Sequence, residues 1–174
     1  MPRYVGFLRG VNVGGKNKLP MAELRTLFES LDHTNVSTYI QSGNIVFTTA
    51  KPVAAKDLER AIAKQFGIAP SVMLRTPAEL SKAVKSSPFA DADPSKLHVG
   101  FMEQKPSAAV VKQLDVERFL PDELAIRGRE IYFLLPNGMG RTKLPPYVDR
   151  QLKIPVTVRN WNTVNKLIEL AAGS

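Results

Sequence analysis

The stretch from Val36 to Thr49 reads VSTYIQSGNIVFTT, in which two β-rich runs are separated only by Ser42-Gly43. The runs are Val36–Gln41 and Asn44–Thr49. β-Branched and aromatic runs joined by a pair of turn residues are typical of a tight β-hairpin. This hairpin is the centre from which the rest of the fold can be predicted.

The segments on both sides of the hairpin complete one supersecondary unit. A predicted strand at Tyr4–Arg9 precedes a helix that starts at Pro20, and a second helix follows the hairpin and ends at Gly67. Proline favours the first turn of a helix, and glycine favours its C-terminal cap. Ser71–Arg75 predicts a fourth strand, and the capping box Thr76-Pro77-Ala78-Glu79 begins a further helix.

The same order of elements recurs in the second half of the chain. The later elements are a strand at Leu97–Glu103, a helix at Ser107–Leu114, a hairpin of Glu123–Arg127 and Glu130–Leu135 around Gly128-Arg129, a helix at Pro146–Leu152, a strand at Val156–Arg159 and a helix at Trp161–Ala172. The halves share this order but negligible sequence identity, so the repeat is one of pattern. The predicted fold is α+β: two tandem ferredoxin-like (α-β plait) modules, each β-α-β-β-α-β with a following helix. We place them at residues 1–87 and 97–174, with a linker at 88–96.

The composition is that of an ordinary globular protein. The chain has 174 residues, 44% of them hydrophobic, and no cysteine, which excludes disulfides, thiolate nucleophiles and cysteine metal sites. No apolar run approaches the roughly 20 residues of a membrane span, and the start Met1-Pro2-Arg3-Tyr4 leads directly into a strand. We therefore expect a cytoplasmic protein without a signal peptide.

The positive charge is concentrated in two regions. The net charge is +8; residues 1–87 carry 12 Lys/Arg against 6 Asp/Glu, and residues 127–174 carry 8 against 3. A basic surface favours anionic partners such as nucleic acid, nucleotides or phosphorylated metabolites, although an excess of charge also serves solubility alone.

The first candidate site combines two loops of the first module. In a ferredoxin-like sheet of strand order 4-1-3-2, the end of the first strand lies beside the hairpin that joins strands two and three. The loop after the first strand is rich in glycine and cations and leads toward a helix N-terminus, so its backbone N–H groups are candidates to hold an anion. The alternative is that Gly14 and Gly15 only form the turn before the helix. The candidate ligand-binding residues are Arg9, Asn12, Gly14, Gly15, Lys16, Gln41, Ser42 and Asn44.

The second candidate site lies at the opposite end of the second module's sheet. Arg141, Lys143 and Arg159 are candidates to converge on an anion with Asn160, and His98 is a weak candidate for proton transfer. The alternative is that Asn160 or Asn162 only caps the final helix. We also expect the two modules to form one cleft, since clefts between domains often bind small molecules.

Other catalytic and metal-binding patterns are weak. Two histidines, His33 and His98, are too few to predict a metal site, and no cofactor is indicated. His33 follows a helix end, where a solvated imidazole is the expected state. Asp91 and Asp93 lie in the linker, where turn formation is favoured over carboxylate chemistry.

Four segments resemble the signatures of one bacterial family, domain of unknown function 1697. They are Leu8–Gly15 (LRGVNVGG), Tyr39–Phe47 (YIQSGNIVF), Gly140–Leu144 (GRTKL) and Arg159–Val164 (RNWNTV). They occur in order and with similar spacing over essentially the whole chain. The resemblance implies two ferredoxin-like modules, and it implies no activity, substrate or catalytic residue.

Three functions remain open from the sequence. The first is a binding protein or small enzyme that recognises a phosphate- or nucleotide-like anion through the basic loops. The second is a nucleic-acid-binding module, since the RNA-recognition fold shares this topology, but the aromatic third-strand signature is missing. Tyr4, Tyr39 and Tyr132 are then the residues available to stack on bases. The third is a protein-interaction or oligomerisation module. The sequence decides neither the oligomeric state nor whether a reaction is catalysed.

Overall fold

Helices and strands follow one another along the chain in the predicted order. The structure is a computed structural model that describes residues 1–173, and in that range it is a mixed α+β protein with two four-stranded antiparallel sheets and six α-helices. The elements are β1 (Arg3–Leu8), α1 (Met21–Ser30), β2 (Thr34–Thr38), β3 (Asn44–Thr48), α2 (Ala55–Phe66), β4 (Val72–Arg75), α3 (Pro77–Lys85), β5 (Leu97–Met102), α4 (Ala108–Lys112), β6 (Glu123–Arg127), β7 (Glu130–Leu134), α5 (Leu144–Leu152), β8 (Val156–Asn160) and α6 (Trp161–Ala172).

The predicted strand order is present in both sheets. The first sheet has the order β2-β3-β1-β4 and the second β6-β7-β5-β8, and the pairings are antiparallel. The predicted helix ends are also confirmed where a local signal defines them. Gly67 adopts a left-handed φ of 71° after α2, and Thr76 and Glu79 exchange the two hydrogen bonds of a capping box before α3.

The chain divides into two compact units. The first contains residues 1–81 and 166–173, and the second contains residues 82–165. The divisions therefore fall within α3 and within α6. The predicted assignment of residues 1–87, 88–96 and 97–174 to two modules and a linker stays a prediction about which segments fold independently.

The first hairpin is longer than predicted. We expected Ser42-Gly43 to form a two-residue turn, but β2 ends at Thr38 and the loop extends over residues 39–43. The reason is the backbone of Ile40, which adopts a φ of 51° and so leaves the extended region. The Gly128-Arg129 turn of the second hairpin is confirmed, with Gly128 at a φ of 60°.

The strand registers reveal a sequence repeat that the pattern analysis missed. Val5 lies opposite Val46 and Arg75 in the first sheet, and Val99 lies opposite Tyr132 and Arg159 in the second. Val5-Gly6-Phe7 is therefore equivalent to Val99-Gly100-Phe101, and the halves are not related by pattern alone. A Cβ atom on either glycine would lie within 3.2 Å of a neighbouring side chain, so the close packing explains the shared glycine.

Two helices of each unit pack on one face of its sheet: α1 and α2 in the first unit, and α4 and α5 in the second. In the first unit, Ile45 and Phe47 of β3 pack with Phe28 of α1 and Leu58 of α2. In the second unit, the core includes Met102, Ile131 and Phe133 from the sheet and Leu144, Tyr147 and Val148 from α5. Full burial of one such side chain contributes about 1.5–3 kcal/mol.

The opposite face of each sheet is also buried. Every residue of β3 and of β5 is buried, although successive side chains point to opposite faces. In the second unit, the Tyr132 hydroxyl donates a 2.6 Å hydrogen bond to the carbonyl of Ala83, and burial raises the pKa of Tyr132 to about 12. In the first unit, the Arg3 guanidinium donates to the carbonyl of Leu170 at 3.3 Å.

Candidate functional site

Asn12 holds the loop between β1 and α1 in place. Its Nδ2 donates to the carbonyl of Leu19 at 2.9 Å and to the carbonyl of Gln41 at 2.7 Å, while its Oδ1 accepts from the amide of Leu19 at 2.7 Å. Its backbone has a positive φ of 56°, which asparagine tolerates better than most residues. The amide of Asn12 thus joins both ends of the loop to the β2–β3 loop, and its hydrogen-bonding groups are engaged by backbone.

Gly14 and Gly15 form the tip of a tight turn. Val13 and Lys16 are bridged, with the Lys16 amide donating to the Val13 carbonyl at 2.9 Å, and both glycines have positive φ (58° and 76°). This is the pattern of a type I′ turn. The turn is separate from the helix, because α1 begins at Met21, directly after Pro20, where the sequence predicted the helix to start.

The β2–β3 loop is packed tightly against the end of β1. The Leu8 amide donates to the Gly43 carbonyl at 2.8 Å, and a Cβ atom on Gly43 would lie 2.7 Å from Cγ2 of Val11. Asn44 is fully buried and donates to the Tyr39 carbonyl at 2.9 Å and to Oγ of Ser42 at 2.8 Å. The structure therefore brings the two predicted loops together.

The cationic groups of the loop face solvent. Arg9, Lys16 and Lys18 are exposed, as are Gly14 and Gly15. Val13 is also 62% exposed, which is unusual for a valine. The loop is thus a fixed, protruding and positively charged turn.

The predicted cations of the second unit divide into exposed and buried groups. Arg141 and Lys143 are exposed on the segment before α5. Thr142 between them is anchored, because its Oγ1 donates to Oδ2 of Asp122 at 2.5 Å and accepts from the Leu144 amide at 3.1 Å. Arg159 is buried, and its guanidinium donates to Oγ1 of Thr157 at 2.7 Å.

Asn160 caps the final helix as the structural alternative predicts. Its Oδ1 accepts from the amide of Thr163 at 2.8 Å, while Asn162 is exposed in the first turn. Burial lowers the pKa of the preceding residue, Arg159, to about 10, so it stays charged at neutral pH.

Arg75 is a buried residue that the sequence analysis did not single out. It is 1% exposed, occupies the position equivalent to Arg159, and donates to the Leu74 carbonyl at 2.9 Å, as Arg159 donates to the Val158 carbonyl at 3.0 Å. Both arginines directly precede a helix cap, Thr76 or Asn160. The signal that was available is the shared position of an arginine at the end of the fourth strand of each half.

The two histidines differ in burial: His98 is buried and His33 is half-buried. His98 is 9% exposed and lies opposite Phe133 and Asn160, at the sheet end that we predicted for it. Burial lowers its pKa, partly offset by a hydrogen bond to the backbone of Lys96. His33 is half-buried and its ring lies 4.9 Å from that of Phe47, so the expected solvated imidazole is wrong. Burial lowers the pKa of His33 as well.

Two surface depressions lie away from the predicted residues. One of about 270 Å³ in the second unit is lined by Pro106, Val111 and Ile126 among others, and one of about 360 Å³ lies between α1 and α2. None of the predicted ligand-binding residues lines either. Over residues 1–173, no cluster of three or more His, Cys, Asp or Glu side chains is arranged to hold a metal ion. Within the same residues, none of the helices has the length and apolar character needed to cross a membrane.

Comparison with known proteins identifies the family. The family model described as "Protein of unknown function (DUF1697)" matches residues 1–132. The chain belongs to this family. In this DUF1697 member, the matched range contains the β1–α1 loop with Asn12, the β2–β3 loop with Gly43, and His98. It ends before Arg141 and Arg159.

A solved bacterial structure resembles this DUF1697 protein over nearly all of its length. It is that of the conserved bacterial protein SP0830 from Streptococcus pneumoniae, with 25% sequence identity, a TM-score of 0.73 and 98% coverage of each chain. Among curated proteins, none matches the sequence.

Proposed function

We propose that the protein binds a phosphate-bearing small molecule at the exposed loop of residues 9–18, and we infer that each unit is a ferredoxin-like module. The strand order 2-3-1-4 in both sheets, with two helices of each unit packed on one face, supports the module assignment. The DUF1697 family description supplies no ligand, so the binding proposal rests on the loop itself.

The observation that carries the proposal is the fixation of an exposed, cationic turn by Asn12. Surface loops are usually mobile. In this loop, the side-chain amide of Asn12 makes three hydrogen bonds to backbone groups of Leu19 and Gln41, with donor–acceptor distances of 2.7–2.9 Å. A preformed loop loses less conformational entropy when it binds a ligand. Fixation of a turn that projects into solvent is therefore more useful for recognition than for stability.

The groups on this turn suit an anion. Gly14 and Gly15 have no side chains to shield their backbone N–H groups, and the ammonium groups of Lys16 and Lys18 are exposed on the same loop. Backbone amides and lysine together are common ligands of phosphate. Residues 9–18 and 39–44 contain no His, Asp, Glu or Cys, so these segments offer binding groups without a strong general base.

Binding of a nucleic acid across a sheet receives less support. Base stacking requires aromatic side chains on an open sheet face. Tyr132 is 2% exposed with its hydroxyl bonded to Ala83, and Tyr4 packs on Phe47 with ring centroids 5.7 Å apart. Two of the three tyrosines that the sequence offered for stacking, Tyr4 and Tyr132, are therefore engaged in packing.

NMR titration of the isotope-labelled protein tests the proposal. Inorganic phosphate, sulfate and ADP are added in turn, and we expect amide shifts at Gly14, Gly15 and Lys16 that weaken with salt. Lys16→Gln and Lys18→Gln should each reduce affinity by about tenfold, the value of a charge-assisted hydrogen bond. Lys64→Gln, which removes an exposed lysine of α2, is the matched control.

Shifts scattered over the surface, or an equal loss of affinity in the Lys64 variant, would contradict the proposal. Tighter binding of ADP than of phosphate would show that the ligand extends beyond the anionic group.

A further inference from the structure

We propose that β6 is an interaction surface that pairs, antiparallel, with β6 of a second copy of this chain. β6 is an edge strand, hydrogen-bonded to β7 on one side only. The proposed partner is identical, so the contact is isologous and closes as a dimer. This surface lies in the second unit and does not depend on the anion-binding proposal.

The outer edge of β6 presents backbone groups that lack partners. Arg127 and Glu130 flank the two-residue turn, so they form a hydrogen-bonded pair, and alternate residues of β6 bond to β7. Leu124 and Ile126 therefore direct their N–H and C=O groups outward. Among residues 1–173, neither backbone group of these two residues has a hydrogen-bond partner outside its own sheet.

The sequence of β6 is complementary to itself in the antiparallel direction. The strand reads Glu123-Leu124-Ala125-Ile126-Arg127. Pairing about Ala125 places Glu123 of each copy opposite Arg127 of the other, and Leu124 opposite Ile126. Opposite residues of paired strands share a face, so both charge pairs and both apolar pairs are in register.

The same register also satisfies the backbone. Leu124 of one copy and Ile126 of the other form a hydrogen-bonded pair, because the backbone N–H and C=O groups of these two residues point outward. Each such pair exchanges two hydrogen bonds, so the two symmetric pairs provide partners for all the outward N–H and C=O groups of Leu124 and Ile126. Glu123 and Arg127 are exposed. The Arg127 guanidinium donates to the Ser86 carbonyl, but it carries five N–H donors, so others are available to pair with Glu123 of the other copy.

The equivalent edge of the first unit is protected against such pairing. β2 occupies the same position as β6 in the strand order, but its register shifts between Thr34 and Ser37, and Asn35 has a φ of 49°. A bulge that twists an edge away is a common defence against edge-to-edge association. β6 is paired with β7 at all five residues without a shift, so its edge stays regular.

A charge swap tests the pairing in the full-length protein. Sedimentation velocity over a concentration series should show a dimer for the natural sequence. Glu123→Lys places a lysine opposite Arg127 of the other copy at two symmetric positions, and should weaken dimerisation by about tenfold or more. The double variant Glu123→Lys with Arg127→Glu should restore it.

Restoration is specific to the dimer because residues 123 and 127 are four apart in an extended strand, too distant to pair within one chain. If the Arg127 variants fail to fold, amide exchange of the natural protein serves instead: Leu124 and Ile126 should become protected as concentration rises, with no such change in β2. A natural protein that stays monomeric, or a Glu123→Lys variant that associates as strongly, overturns the proposal.

Discussion

Gly43 occupies a position in which a larger residue strains the first unit. Its φ of 93° disfavours any side chain, and an added Cβ atom would lie 2.7 Å from Val11. We expect Gly43→Ala to lower the free energy of unfolding by about 2–5 kcal/mol, the sum of backbone strain and overpacking. Denaturant unfolding measures the loss.

Gly14→Ala is the matched control for Gly43→Ala. Gly14 also has a positive φ, 58°, but no neighbouring atom lies within 4 Å of an added Cβ atom. Only the backbone strain remains, about 1–2 kcal/mol. Equal losses in the two variants would show that the close approach at Val11 contributes nothing.

The two histidines make stability depend on pH in a defined direction. Burial lowers the pKa of both His33 and His98 below 6.5 in the folded state. The unfolded state therefore takes up protons first, so their contribution to stability is complete above about pH 6.5 and is lost as the pH falls through the folded pKa values. NMR titration of the imidazole signals should give two values below those of the urea-unfolded protein. A value at or above the unfolded one would contradict the assignment.

The side chain of Asn160 caps the N-terminus of helix α6. Asn160 accepts the Thr163 amide at 2.8 Å, and we expect Asn160→Ala to cost about 1 kcal/mol of unfolding free energy. Asn162→Ala, two residues later and exposed, should change it by less than about 0.5 kcal/mol. Thermal or denaturant unfolding compares the two. If both variants lose equally, the cap is not the source of the effect.

Elements with a local chemical signal could be predicted, and elements set by tertiary packing could not. The Gly128-Arg129 turn, the Gly67 cap and the Thr76 capping box each follow from residues within a few positions. The β2–β3 loop differs because Ile40 leaves the extended region, against the β preference of its side chain. Packing of Gly43 onto Leu8 and Val11 outweighs that preference, and nothing within the hairpin sequence reveals it.

Candidate site residues were recognised by type, but their burial was not visible in the sequence. Asn12 lies beside Gln41, as predicted, but its side-chain amide there forms hydrogen bonds with backbone groups. Arg159 has a guanidinium group suited to an anionic ligand, but it lies inside the protein. The sequence analysis overlooked the equivalent residue, Arg75, which is also buried. An arginine at the end of a strand gives no local sign of whether it faces solvent or core. Only the comparison of strand registers relates the two.

At the scale of the molecule, the first unit is built from two distant parts of the chain. Residues 166–173 of α6 belong to it together with residues 1–81, and the Arg3 guanidinium donates to the carbonyl of Leu170. Leu167 is fully buried in this segment. We expect Leu167→Ala to lower stability by about 2–5 kcal/mol and to accelerate amide exchange in β1 and β3 more than in β5 and β7.

Glu169→Ala is the control for Leu167→Ala, because Glu169 lies in the same segment but is exposed, and its removal should leave exchange nearly unchanged. The comparison has a consequence for any shortened form of the protein. A fragment of residues 1–87 contains all of β1–β4 but lacks the segment that carries Leu167, so it should unfold more readily than the first unit of the complete chain. If exchange accelerates only in β5 and β7, residues 166–173 stabilise the second sheet instead, and the fragment should fold as well as the natural unit.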